Sequence, residues 1–538
     1  MPNRIMMAPM TRNRADDQGV LSPLASIYYS QRASAGMIVS ESVNISPLGQ
    51  GYLLTPGIYT TSQMAAWGNV SSAIERANKD CQWWLQLTHC GRATHITNRS
   101  TSLQPLAPSA IRAAATIYTT AGRVPMDEPR EMTQTDIDGV LEEYYQAARN
   151  SIKCGAHGVE LHCGAGCLPH QFLASSSNKR MDKYGGSPQR RARFIIELVD
   201  AVSSAIGAAH VGVRVTPLNA FNDAVEQDVY EMYTYLMQEL GKKHVAFVHA
   251  QRIAGKKLPD GSRPQGLLSM AEAPHTLTDA ALSGHPLHMQ SEMLLAAMRR
   301  AFPNTFVISG GYNRQTAMDA IRPQGDVSIA SNSSHQTETH DAKHQSPAFS
   351  TPSSSLHVST SDPMYADVMR HVQEIKEQEL AQDPLAALMA QLGDPTQTHS
   401  KKNDSDAVME AAMQSAYPSE PHRSTLGEFG GSLESFADVV GFGWSFISTP
   451  DLVERLRYDL PLNKDCRAGL YVGAREGVDL ALGYCDYPSF EEVLASTTCN
   501  YSLHAVLSDR EKLRQVVQAS QALPHPLMDA DVTIGQTC

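Results

Sequence analysis

The chain of 538 residues has no run of apolar residues about 18 long, so no membrane-spanning helix is expected. It has no excess of positive charge: 44 basic residues stand against 56 acidic ones, a net charge of −12. That balance argues against nucleic acid or an anionic membrane as the main partner. Cysteine is sparse and odd in number, nine residues scattered over the whole length, which excludes a dense disulfide framework. Reduced thiols in a cytoplasmic protein are the simplest reading. The opening MPNRIMMAPMTRNR has too short an apolar stretch for a secretory signal and turns basic after it. What the chain does have is 42% apolar residues, enough for a sizeable core.

Those apolar residues fall into eight short β-like runs separated by helical periodicity. The runs are RIMMAPM (4–10), GMIVSESVNI (36–45), CQWWLQLTH (81–89), HGVELHC (157–163), VGVRVTP (211–217), VAFVHAQ (245–251), TFVISGGY (305–312) and DVVGFGWSF (438–446). Ile137–Lys153 and Arg191–Ile206 carry apolar residues at three- and four-residue spacing, the mark of amphipathic helices. Eight strands alternating with helices predict an α/β protein, a (β/α)8 TIM barrel. An open doubly wound sheet is the alternative, because periodicity alone does not close a barrel.

One segment breaks this rhythm. Residues 322–435 are rich in Ser, Thr, His, Gln and Pro, as in SIASNSSHQTETHDAKHQSPAFSTPSSS, and read as a long, disordered insert before the eighth strand. Tyr365–Leu392 within it is compatible with one or two amphipathic helices. Its seven histidines, from His335 to His422, raise the question of metal, but a soluble spacer explains them as well. The expected organisation is strands one to seven in 1–321, the insert in 322–435, the eighth strand and its helix in 436–495, and a tail in 496–538.

In such a barrel the chemistry sits at the C-terminal strand ends. The candidates there are Pro9, Met10 and Thr11; Glu41 and Ser42; Gln86 and His89; His162; Arg214; Gly310 and Gly311; and Phe442, Gly443 and Trp444. A Gln or Arg buried in a strand needs a polar partner, so Gln86 and Arg214 imply a ligand or an internal ion pair. Gly-Gly after a strand lets backbone N–H groups approach an anion, or makes a plain tight turn. The stretch HCGAGCLPHQFL offers His162, Cys163, Cys167 and His170, a zinc-like set of residue types. Its spacing is poor, because successive strand residues point to opposite sides. Packing, or a solvent-exposed loop, accounts equally for Cys163, Cys167 and His170, and no metal is expected.

Taken together, these strand ends resemble the Old Yellow Enzyme family of flavin-dependent ene-reductases. The similarity rests on NRIMMAPMTRNRAD, YYSQRASAGMIVSESVNISPLGQGY, TPGIYT, LQLTHCGRATH, GVELH, NKRMDKYGGSPQRRARFIIELVDAV, VGVRVTPLNAFND, SGGY and FISTPDLVERLRYDLPLN with GYCDYPSF. It runs from residue 3 to about 320 and from about 436 to 490. The family's usual leading segment is absent from this sequence, which points to a less covered barrel base or a late start codon. The resemblance implies FMN over the barrel mouth, with NADPH or NADH as reductant. It places Pro9 and Met10 along the flavin, Thr11 and Ser42 near its O4, Gln86 at the pyrimidine edge and Arg214 beside N1. Gly310, Gly311 and Gly443 would face the phosphate, and Tyr471 the substrate.

The family's substrate motif is His-x-x-Asn (or His)-x-Tyr. Here His162 fills the first place, but Ala165 and Cys167 fill the others. Trp444 stands where the family has an Arg on the FMN phosphate, and Thr88 where many members have Trp. A lost oxyanion donor costs about 10²–10³ in rate, and a lost general acid about 10²–10⁴. Cys167 is the candidate replacement acid, with a thiol pKa near ~8.5 against ~10 for a phenol, though its side chain is shorter. The expected function is FMN-dependent transfer of hydride from NAD(P)H to activated alkenes or quinones, by a monomer or homodimer acting on small molecules. The alternatives are a catalytically weakened flavin-binding or flavin-free relative with a regulatory or binding role, and a shifted, isomerising reaction.

Overall fold

The computed structural model describes residues 1–253, 277–322 and 435–463, with 484, 485, 487 and 489. The chain divides into two units, Met1–Val327 with Ser424–Cys538, and Ser328–Arg423; the second lies wholly outside the described residues. So do the helices expected over 365–392, the seven histidines, the tail 496–538 and Tyr471.

All eight expected strands form. In chain order the strands are β1 (Ile5–Met7), β2 (Met37–Asn44), β3 (Gln82–Thr88), β4 (Leu106–Ala107), β5 (Thr116–Thr119), β6 (Gly122–Pro125), β7 (Arg130–Glu131), β8 (Gly158–His162), β9 (Val211–Val215), β10 (Phe247–Gln251), β11 (Thr305–Ser309) and β12 (Val439–Phe442). Eight of them close a parallel barrel in the order β1-β12-β11-β10-β9-β8-β3-β2. The open-sheet alternative is thereby excluded. β4 pairs with β7, and β5 with β6, in an excursion between β3 and the next helix that the sequence pattern does not announce. Residues 323–434 fall between the seventh and eighth barrel strands.

The helices form the outer layer. α1 (Leu24–Ser30), α2 (Thr61–Ala77), α3 (Gln134–Lys153), α4 (Leu168–Leu173), α5 (Pro188–Ile206), α6 (Val229–Lys242), α7 (Asp279–Ser283), α8 (Leu287–Ala301) and α9 (Arg314–Ile321) are followed by short helices at Trp444–Ser448 and Leu452–Tyr458. Capping boxes at Thr60/Gln63 and Thr133/Asp136 start α2 and α3. Pro188, at the first turn of α5, needs no N–H partner there.

Strand alternation sorts the side chains. Val159, Leu161, Val211, Val213 and Val215 join the core shared with the helices. The inward faces build two levels. The lower is an apolar plug of Met6, Met37, Val39, Trp84, Phe247, Val307 and Val439. Trp84 meets Phe247 edge-on, with ring centroids 5.0 Å apart. Gly158 and Gly212 make the room: a Cβ on them would lie 2.5 Å from the Trp84 ring and 2.2 Å from the Phe247 ring. The plug closes the barrel floor, so polar groups gather above it.

Glu41, on β2, is buried among cations. Arg12 N donates to its Oε2 at 3.0 Å, and Arg12 and Arg14 lie over Tyr484. Burial pushes the carboxyl up to about 7 against the pull of Arg12 and Arg14. Unfolded, it titrates near ~4.3. The folded chain binds this proton more tightly, so the stability it contributes is present below about pH 4.3 and is lost as pH rises through 7. Glu41→Gln should therefore flatten the decline in urea-unfolding free energy between about pH 5 and 7.5. An unchanged slope would assign that decline elsewhere.

Candidate active site

Above the plug, a chain of side-chain hydrogen bonds crosses the barrel. Ser42 Oγ on β2 donates to Gln86 Oε1 on β3 at 2.8 Å. Gln86 Nε2 donates to Glu160 Oε1 on β8 at 2.8 Å. Glu160 Oε2 lies 2.9 Å from His249 Nδ1 on β10, and His249 Nε2 lies 2.7 Å from Ser309 Oγ on β11. The carboxylate fixes the Nδ1–H tautomer, leaving Nε2 to accept from Ser309. Glu160 pairs in register with Gly212 on β9 and bonds across that strand to His249 on β10. Gln86, Glu160 and His249 are all buried, and the chain fixes which way the Gln86 amide faces.

One layer higher, His162 on β8 and Arg214 on β9 are register partners. Arg214 Nη2 donates to Gln251 Oε1 at 2.7 Å, while its Nε is buried without a partner among the described residues. His162 Nδ1 and Thr88 Oγ1 are likewise buried with no partner among the described residues. Each such atom costs about 1–3 kcal/mol when left unmet. Three of them at the mouth ends of the consecutive barrel strands β3, β8 and β9 mark a place for a polar ligand. Burial, and then the Arg214 cation, hold His162 well below the usual imidazole range, so it acts as a neutral ring.

The rim is built from the expected loops. Pro9 is buried and Met10 and Thr11 half-buried just after β1. Gly310 and Gly311 follow β11 with φ of +113° and +73°. A Cβ on Gly310 would lie 2.3 Å from the Arg252 carbonyl oxygen, so only glycine fits. Gly443 follows β12, and a Cβ there would come within 3.3 Å of Met10 Sδ. Trp444 opens the next short helix and is 46% exposed.

The His162–Leu173 stretch leaves β8 as a clamped loop. Ala165 has φ of +49°, a left-handed conformation that suits Asn better than Ala. Its N–H donates to Thr216 Oγ1 at 2.7 Å. Gly166 N–H donates to His170 Nδ1 at 2.9 Å, and His170 Nε2 lies 2.6 Å from Glu226 Oε1. His170 is therefore a fully buried clamp and not an exposed loop residue. Cys163 and Cys167 are buried too. Cys163 lies beside Tyr144 and Tyr233 on α3 and α6, on the far side of the strand from His162. Among the described residues no three His, Cys, Asp or Glu are grouped to hold a metal ion, so the zinc-like set does not converge. Cys90 beside it, together with burial, pushes the Cys167 thiol pKa well up.

Two residues at this loop had no role assigned from sequence. Asn222 Nδ2 donates to Tyr52 Oη at 2.9 Å and to the Ala165 carbonyl at 3.1 Å. Tyr52 ends the stretch LGQGY and Asn222 is next to last in LNAFND, two of the stretches that carry the family resemblance.

The NADH:flavin oxidoreductase / NADH oxidase family model matches residues 1–265. The 12-oxophytodienoate reductase 1 of Oryza sativa subsp. japonica is 33% identical over 318 residues, 59% of this chain and 74% of that protein. The chain belongs to this family, that of Old Yellow Enzyme. A probable flavin mononucleotide-dependent alkene reductase of Leishmania infantum is 36% identical over 255 residues, 46% of this chain and 69% of that protein. A morphinone reductase structure superimposes with a TM-score of 0.59 at 28% identity, covering 94% of this chain and 95% of that one. This Old Yellow Enzyme relative is an NAD(P)H:flavin oxidoreductase that uses FMN.

The unpaired atoms at the barrel mouth and the glycine turn at Gly310 fit that cofactor. Trp444, where the family resemblance implies a phosphate-binding Arg, has one indole N–H and no charge. Trp444→Arg should tighten FMN by one to two decades, the worth of a charged contact of about 1.5–3 kcal/mol. Quenching of FMN fluorescence on titration reads the change; an unaltered Kd would place the phosphate away from residue 444.

Proposed function

We propose that the enzyme reduces activated alkenes, chiefly α,β-unsaturated carbonyl compounds, and also quinones. The observation that carries this is the set of buried, unpaired atoms on Thr88, His162 and Arg214 above the Ser42–Gln86–Glu160 chain. FMN, when bound, takes two electrons from NAD(P)H and delivers them to the substrate. Gln86, its amide direction fixed by Glu160, holds the pyrimidine edge. Arg214 places a permanent positive charge where the reduced cofactor gathers negative charge. Thr11 would bond O4, with Ser42, its O–H given to Gln86, a small residue beside it; Pro9 and Met10 would line the ring, and the N–H groups of Gly310, Gly311 and Gly443 would serve the phosphate. His162, held neutral, donates to the substrate oxygen. Cys167 stands in the place of the family's acid.

The test is the visible absorbance of the purified protein before and after adding FMN, then NADPH without oxygen. A flavin band that bleaches, and returns on adding 2-cyclohexenone, supports the proposal. A band lost on desalting favours the second reading, a weakened or flavin-free relative, for which Trp444 and Cys167, buried beside Cys90, are the motivating features.

A further inference from the structure

Alkene reduction needs a proton at the α-carbon, and the loop after β8 carries no phenol to give it. Cys167 is a weak candidate, because its thiol is buried beside Cys90 and held protonated well above the usual thiol range. A phenol does reach this loop from another strand. Tyr52, in the loop after β2, lies close enough to Cys90 and Cys167 to interact electrostatically with both. Asn222, in the loop after β9, holds it. The Asn222 backbone is left-handed at φ +57°, and its Nδ2 bridges Tyr52 Oη and the Ala165 carbonyl. A Cβ on Gly166 would come 2.5 Å from Asn222 Cβ, so the glycine of the loop is what admits this side chain. The described bond at Tyr52 Oη is one it accepts, so its proton has no acceptor among the described residues.

We propose that Tyr52, positioned by Asn222, is the proton donor to the substrate α-carbon, in place of Cys167. The proposal rests on the ene-reductase reading above. The step balances as follows. A hydride, supplied from NAD(P)H by way of FMN, adds to the β-carbon; the Tyr52 O–H bond breaks as the α-carbon C–H bond forms; the phenolate recovers a proton from water. Burial raises the Tyr52 pKa, so the phenol stays protonated and ready, while the Asn222 N–H bond favours the phenolate left behind. The missing Asn at 165 and Tyr at 167 are thus answered by one Asn and one Tyr from two other loops.

The experiment compares the FMN-loaded wild type with Tyr52→Phe, Asn222→Asp and Cys167→Ala, reading turnover of 2-cyclohexenone as a ratio to turnover of a benzoquinone. The quinone is protonated on oxygen and needs no carbon acid. In Tyr52→Phe the ratio should fall about 10²–10⁴, the span of a general acid. In Asn222→Asp, which removes the N–H donor and keeps the left-handed turn, the ratio should fall less and its pH dependence should shift. Calorimetric binding of 2-cyclohexenone to the oxidised protein, with no reductant, should change less than threefold in Tyr52→Phe. A wild-type ratio in Tyr52→Phe overturns the proposal, whether Cys167→Ala then falls (the thiol is the acid) or does not (water is). Binding lost in step with turnover also overturns it, because Tyr52 would then seat the substrate. If NADPH bleaches no flavin and no quinone is reduced, the ene-reductase reading itself fails, and the proposal falls with it.

Discussion

Glu160→Ala should cost the protein about 2–6 kcal/mol, the largest single-residue loss expected on the inner face of the barrel. Glu160 accepts from Gln86 Nε2 and from His249 Nδ1, and all three residues are buried. Alanine leaves both donors facing a dry cavity, at about 1–3 kcal/mol each. Glu160→Gln distinguishes polarity from mere volume. Its single carbonyl can serve only one donor, while its amide meets the other head-on, so it should fall between wild type and alanine. The midpoint of urea unfolding at fixed pH measures both. A Glu160→Ala loss under 0.5 kcal/mol (about the scatter of a surface substitution) would mean that the chain does not brace the barrel. The same variant should bind FMN more weakly, because Gln86 would no longer be held at a fixed angle.

His162→Ala should lower enone turnover by about 10²–10³, the usual loss for one oxyanion donor. What separates this from a generic active-site lesion is the charge state. Burial and Arg214 disfavour the protonated ring, so the proposal needs His162 to donate as a neutral imidazole. Two results follow. His162→Asn, also a neutral N–H donor, should recover a large part of the loss. Enone turnover should show no step from His162 between about pH 6 and 8, since the imidazole titrates below that window. A clear rate step near ~6.5 that vanishes in His162→Asn would show a charged histidine instead.

The barrel was legible because each strand is a short apolar run buried on both faces, set between helices of plain 3.6-residue period. β4 to β7 were not, since strands of two to four residues carry too little alternation to stand out. In the site, burying Gln86 and Arg214 demanded partners, and the demand was correct. The partners themselves, Glu160, His249 and Gln251, sat in the runs HGVELHC and VAFVHAQ, but alternation says only which face a residue occupies. Which strands are neighbours, and that Glu160 on β8 bonds across β9 to His249 on β10, appears only once the sheet is closed. The loop after β8 was readable as types and not as shape. Its left-handed Ala165, its buried His170 clamp and the Tyr52–Asn222 pair from other loops depend on tertiary contacts with no local signature.

The order in which the barrel closes has a consequence for how the chain is made. β12 is hydrogen-bonded to β1 on one side and to β11 on the other, so it is the last stave. About 130 residues separate the end of β11 at Ser309 from the start of β12 at Val439, a delay of roughly 6–26 s on a ribosome adding ~5–20 residues per second. Without β12 a seven-stave sheet would have two bare edges, on β1 and β11, each able to pair with a neighbouring polypeptide. The wait is spent translating the most polar, Ser-, Thr- and His-rich stretch of the protein, which keeps the growing chain solvated until the barrel can shut.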